Sequence, residues 1–206
     1  MDLGWEIGKY GAITVMFPAA MVVAAWLWAA AGWRACLQWL LTLVSAYILV
    51  ALSKILFKGW GISLPALDIA VLSGHAMNTS LVVIVAASLL ARQIKTRWRW
   101  PAAMLATAWG VWFAATCVAP GIHPLAEALA GSLVGSLAAW SFLRRLERFE
   151  MDALAPAAVG VGLALVVLVG SLPKYNAERY LNDIAVKLSG AERPHLVPVW
   201  RAAPGS

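Results

Sequence analysis

Charged residues are absent from Gly11 to Trp33 and again from Ala35 to Ser53, with Arg34 alone between the two runs. Each run is close to the roughly 20 residues that an apolar helix needs to cross about 30 Å of hydrocarbon. The pattern predicts two membrane helices joined by a tight turn near Gly32 to Arg34. Four more apolar runs follow: from just after His75 to about Ala91, from Pro101 to Ala119, from near His123 to before Arg144, and from Ala153 to Leu172. Beyond them the chain is mixed polar with scattered charge, and one short amphipathic helix is expected around Ala177 to Leu188. This reads as an all-α integral membrane protein, a bundle of six transmembrane helices in three parts. An outward-facing segment spans 1–10, the membrane domain 11–172, and a polar, aqueous tail 173–206.

Composition agrees, since 62% of residues are hydrophobic and 13% charged, which excludes an ordinary soluble domain. The formal charge of +6 does not imply a nucleic-acid partner, because the basic residues fall in the short gaps between apolar runs. In the short loops on one side lie eight of them: Arg34, Arg92, Lys95, Arg97, Arg99, Arg144, Arg145 and Arg148; the opposite short segments have three, Lys9, Lys54 and Lys58. The basic side is expected to be cytoplasmic. Both termini, the segment from Lys54 to His75 and the turn at His123 then face outward, which in a bacterial inner (plasma) membrane is the periplasm. The two cysteines, Cys36 and Cys117, sit inside apolar runs and make neither a disulfide framework nor a thiolate zinc site. The first residues lack the basic region and cleavage site of a secretory signal, so the first apolar run is expected to be retained. No internal repeat is visible.

Ionisable groups at membrane depth are costly when unpaired and are therefore functional candidates. Lys54, Asp68, His75, His123 and Glu127 all border apolar runs, and two complete helices between His75 and His123 return the chain to one face. The words around them are more specific. LSGHA, Leu72 to Ala76, resembles the Ser-Gly-His motif of the type 2 phosphatidic acid phosphatase (PAP2) superfamily. HPLAEALAG, His123 to Gly131, resembles its third motif, a histidine followed four residues later by a carboxylate. Lys54 in KILFKGWGI loosely matches the lysine of the first motif. The resemblance covers roughly Lys54 to Gly135.

That resemblance implies a six-helix fold of PAP2 type and phosphate-ester chemistry without metal or cofactor. His123 would attack phosphorus to form a phosphohistidine, Glu127 would hold its other ring N–H, and His75 would protonate the leaving oxygen. Ser73, the Gly74 N–H, Thr116 and Lys54 would bind the phosphate. The partner would be a phosphorylated membrane lipid: a polyprenyl diphosphate, a phosphatidate-type lipid or a lipid A phosphate. The chain departs from the motifs in lacking their arginines. Thr116 and Cys117 stand where a Ser-Arg pair is usual, and no arginine occurs between Lys54 and His75. It therefore resembles a degenerate member, and a second reading is a protein that binds or transports a phosphorylated lipid without cleaving it. A third is a metal site from His75, His123 and Glu127. Lys58 is expected to snorkel to headgroups or to substitute in part for the missing arginine, Asp68 to cap a short segment or pair with a lysine, and His195 to be solvated. Gly131 and Gly135 read as a stripe for close helix packing.

Overall fold

The computed structural model describes residues 7–171 and 178–201. Helices α1 (Ile13–Ala31) and α2 (Trp33–Trp60) are separated by Gly32 alone. Its φ of 80° lies where a side chain would be strained, so glycine permits the break. The indole N–H of Trp39 donates to the Ala20 carbonyl at 2.9 Å, so the two helices fold back as a hairpin. α3 is Gly74–Ile94 and α4 is Arg99–Phe113, whose last turn widens to π geometry over Ala114–Val118. α5 (Leu125–Leu146), α6 (Pro156–Gly170) and a tail helix α7 (Glu178–Ser189) complete the order. Among the described residues the strand-like pairing is one isolated bridge, Leu64 to Ile69.

Among the described residues five segments are long and apolar enough to cross a membrane: Ile13–Ala31, Trp33–Trp60, Gly74–Ile94, Thr96–Val118 and Leu125–Leu146. The protein is a multi-pass, all-helical membrane protein. The sixth apolar helix is shorter than expected. α6 has 15 residues, about 22 Å at 1.5 Å per residue, and it starts at Pro156, which suits a first helical turn but not an interior. The expected end at Leu172 lies outside the described residues.

α3 occupies the centre, with Met77, Leu81, Ile84 and Val85 fully buried. Its contact with α5 is backbone to backbone. A Cβ added at Gly131 would lie 2.3 Å from the Ser73 carbonyl oxygen, and one at Gly135 would lie 2.3 Å from that of Met77. The small-residue stripe therefore lets two helices touch, and the Ser80 and Ser132 hydroxyls bond across the seam at 2.8 Å. At the basic end, Arg99 grips Glu147 with two bonds of 2.8 and 2.7 Å, tying the start of α4 to the end of α5.

At the opposite end the finish of α2 meets the starts of α3 and α5. The tail packs here instead of lying free in water. A Cβ at Gly59 would be 3.2 Å from the Ala185 carbonyl oxygen, so α7 lies close along α2. The His195 backbone N–H donates to the Lys58 carbonyl at 2.9 Å. An amphipathic helix needs a surface for its apolar side, and the end of α2 offers one to Ala185, which is fully buried.

Candidate functional site

The converging helix ends enclose a cavity of about 370 Å³, a volume usual for small-ligand sites. Lys54 and Lys58 reach it from α2, His75 from α3, and His123 and Glu127 from the start of α5. The tail adds Glu178, His195 and Arg201.

His123 and Glu127 meet because Pro124 sets the entry to α5 and puts the carboxylate in its first turn, four residues on. His123 Nδ1 lies 3.0 Å from Glu127 Oε2. The other carboxylate oxygen accepts from the Ala70 N–H at 3.1 Å and from Arg201 Nη1 at 2.9 Å. The Glu127 carbonyl accepts from the Ser73 N–H at 3.2 Å, which ties the start of α3 to the same turn. With every neighbour of Oε1 a donor and the residue 3% exposed, the carboxylate is charged and fixed. A carboxylate at Nδ1 accepts an N–H from it, and a neutral ring in that tautomer has its lone pair on Nε2.

His75 stands second in α3, behind Ser73 as the helix cap. The Ser73 hydroxyl accepts from the Ala76 N–H at 3.4 Å and is fully buried, so it serves the helix start. Neither Ser73 nor Gly74 lines the cavity. Thr116 departs further from its expected place. In the π turn its hydroxyl faces outward and donates to the Trp112 carbonyl at 2.7 Å, while Cys117 turns inward against Ala76, Phe113 and Ala128. Of the four residues expected to bind phosphate, Lys54 alone reaches the cavity wall.

The electrostatics centre on Lys54 and Lys58, one turn apart on α2 and both buried, at 7% and 8% exposure. Two buried ammonium groups require counter-charge. Glu178 supplies it: Oε1 pairs with Lys54, and Oε2 lies 2.9 Å from Lys58 Nζ, which also donates to Asn182 Oδ1 at 2.6 Å. Burial raises the Glu178 pKa, but the Lys54 charge and the hydrogen bonds from both lysines outweigh it and bring it down to about 2. Lys58 thus belongs to the site and does not snorkel to headgroups. Asp68, at φ 53°, caps the turn Pro65–Leu67 and accepts from Arg201 Nε at 2.7 Å and Trp200 Nε1 at 2.8 Å. Its hydrogen bonds from Arg201 and then Trp200 hold its carboxyl below the ordinary range. Its expected lysine partner is an arginine. His195 keeps much of its surface exposed, yet it lines the cavity with its ring centroid 6.5 Å from that of Phe57.

Sequence reasoning missed Glu178, His195 and Arg201 as site residues, and favoured snorkelling for Lys58 over a part in the site. The tail contacts join positions from 74 apart, for Arg201 and Glu127, to well over 100 apart, for Glu178 with Lys54 and Arg201 with Asp68, and carry no local pattern. One signal was available: Lys54 and Lys58 share a helix face at a membrane boundary, and the tail holds an acidic group able to neutralise them. A metal triad of His75, His123 and Glu127 is not formed, since among the described residues no three His, Cys, Asp or Glu side chains converge to hold an ion.

Residues 68–151 match the family profile described as the PAP2 superfamily. The match takes in α3, α4 and α5 with His75, His123 and Glu127, and stops short of Lys54, Lys58 and the tail. No curated protein and no solved structure matches the chain.

Proposed function

We propose that this membrane protein, whose residues 68–151 match the PAP2-superfamily profile, is a lipid phosphatase or phosphotransferase working through a phosphohistidine. The observation that carries this reading is the 3.0 Å contact of His123 Nδ1 with Glu127 on the wall of a cavity shared with His75 and Lys54. A ring nitrogen held this way leaves Nε2 as the nucleophile.

In the first step His123 Nε2 attacks phosphorus, the N–P bond forms and the P–O bond to the lipid breaks. His75 gives its proton to the departing oxygen. In the second, water or an acceptor hydroxyl attacks the same phosphorus and His75 takes its proton. The N–P bond breaks, phosphate or the new ester leaves, and His123 is restored. Lys54 and Lys58 offset the charge that accumulates on the phosphoryl oxygens. The substrate is a phosphorylated lipid of the polyprenyl diphosphate, phosphatidate or lipid A class, reached at the outer face of a bacterial inner membrane. The cavity's place at the helix ends and the basic loops at the other end support that orientation.

The absence of arginine at Cys117, together with a carboxylate already on both lysines, favours a second reading in which the site binds the lipid without cleaving it. Phosphate release from a panel of these lipids by purified protein in detergent, with EDTA present, separates the two. Wild type is expected to release phosphate and His123→Ala to release none. Equal background release with lipid binding retained would overturn the enzyme and leave the binder.

A further inference from the structure

We propose that the C-terminal tail completes the anion site, with Arg201 as the guanidinium that contacts the phosphoryl group beside His123. This rests on the phosphoryl-transfer reading above and extends it to a residue outside the segment 68–151. A transition state with charge spread over three phosphoryl oxygens is served best by a planar, permanently charged fork. Cys117 cannot supply one. It lies in an apolar cluster with Phe113 and Val118, so a longer charged side chain there would be buried without a partner.

Arg201 lines the cavity that holds both histidines, and it is the one arginine to do so among the described residues. It is also held in place. Nε donates to Asp68 Oδ1 at 2.7 Å, Nη1 to Glu127 Oε1 at 2.9 Å, and Nη2 to the Asp68 carbonyl. Trp200, its neighbour, donates to the same Asp68 oxygen at 2.8 Å. These bonds use three of the five guanidinium N–H groups, leaving two for a ligand. Because Glu127 joins Arg201 on one oxygen and His123 on the other, the fork is fixed one carboxylate away from the nucleophile. Preorganisation of this kind is what makes a cation effective in transfer chemistry.

A purely structural alternative is that Arg201 only staples the tail to Asp68 and Glu127. The full-length protein in detergent distinguishes them through two readouts, lipid hydrolysis and calorimetric binding of inorganic phosphate. Arg201→Ala is expected to lower kcat/KM by on the order of 10²–10³-fold, and added guanidinium to restore part of it. Arg201→Lys should retain an intermediate rate. Asp68→Ala, which removes the carboxylate partner of Nε and of Trp200 but leaves the guanidinium its bonds to Glu127 and to the backbone carbonyl at 68, should cost under about tenfold. If Asp68→Ala loses as much as Arg201→Ala and guanidinium restores nothing, Arg201 is a staple and the proposal fails. If the wild type cleaves no lipid, the phosphatase reading fails separately and phosphate binding alone decides. Weaker binding in Arg201→Ala, restored by guanidinium, sustains the site; unchanged binding, or none in the wild type, overturns it.

Discussion

Glutamine at position 127 keeps the shape of the side chain and removes its charge, and the neighbours then dictate which way the amide faces. Oε1 of Glu127 has two donors, the Ala70 N–H and Arg201 Nη1, whereas Oε2 has one partner, His123 Nδ1. Facing the amide oxygen toward the two donors keeps both bonds. The reverse orientation sets an NH₂ group against two N–H donors and gives up both, at about 1 kcal/mol or more each. Glu127→Gln therefore presents its NH₂ to His123 Nδ1, which must then accept, and the ring proton moves to Nε2. The nucleophilic lone pair is lost from the position facing phosphorus. A carboxylate-to-amide change that inverts a catalytic histidine tautomer costs about 10⁴-fold, or about 5.5 kcal/mol of barrier. The assay is single-turnover hydrolysis of a phosphorylated lipid in detergent. Inorganic phosphate affinity is measured alongside and should stay within about threefold, because Arg201, Lys54 and Lys58 remain. Glu127→Asp, which retains charge on a shorter arm, should keep a measurable rate. A Glu127→Gln rate within about tenfold of wild type would refute the tautomer argument.

Other outcomes follow from the same geometry. His75→Ala should slow lipid hydrolysis by about 10²–10⁴-fold yet cost far less with an aryl phosphate whose leaving group needs no proton, as leaving-group series would reveal. Gly135→Ala should destabilise by about 1–3 kcal/mol, since its new methyl meets the Met77 carbonyl, while Gly160→Ala, inside α6 with nothing within 4 Å, should not destabilise and should gain up to about 1 kcal/mol in thermal stability in detergent. Glu178 has its pKa lowered from 4.5 to about 2, so the tail clasp it makes is complete above pH 4.5 and weakens only as the pH falls towards 2. A fluorophore on Leu188→Cys should report that profile in a background free of the native cysteines, and Glu178→Gln should abolish it. Single cysteines at Glu192 and Gly121 in the same background should label with an impermeant maleimide from outside, and one at Thr96 should not; the opposite pattern would reverse the orientation.

What the sequence made legible was local. Charge-free runs bound five spans because length and apolarity are properties of consecutive residues, and Gly32 announced its turn for the same reason. The pairing of His123 with Glu127 was readable because residues four apart on a helix share a face. The motif words placed His75 near them since two intervening helices fix the side of the membrane. Ser73 and Thr116 were misplaced because a hydroxyl beside a helix end has backbone partners close by, and Ala76 and Trp112 took them. The tail was opaque for a different reason. Glu178 and Arg201 look like ordinary solvated charges until the fold brings them to Lys54 and Glu127, and that juxtaposition depends on how α7 lies along α2.

The account turns on a covalent bond between phosphorus and His123. Wild-type protein mixed with a radiolabelled phosphorylated lipid, quenched in base and digested, should carry label that is stable to alkali and labile to acid. The label should map to the peptide containing His123 and be absent in His123→Ala. Phosphate release at full rate with no such label, or label retained on the His123→Ala protein, would contradict it.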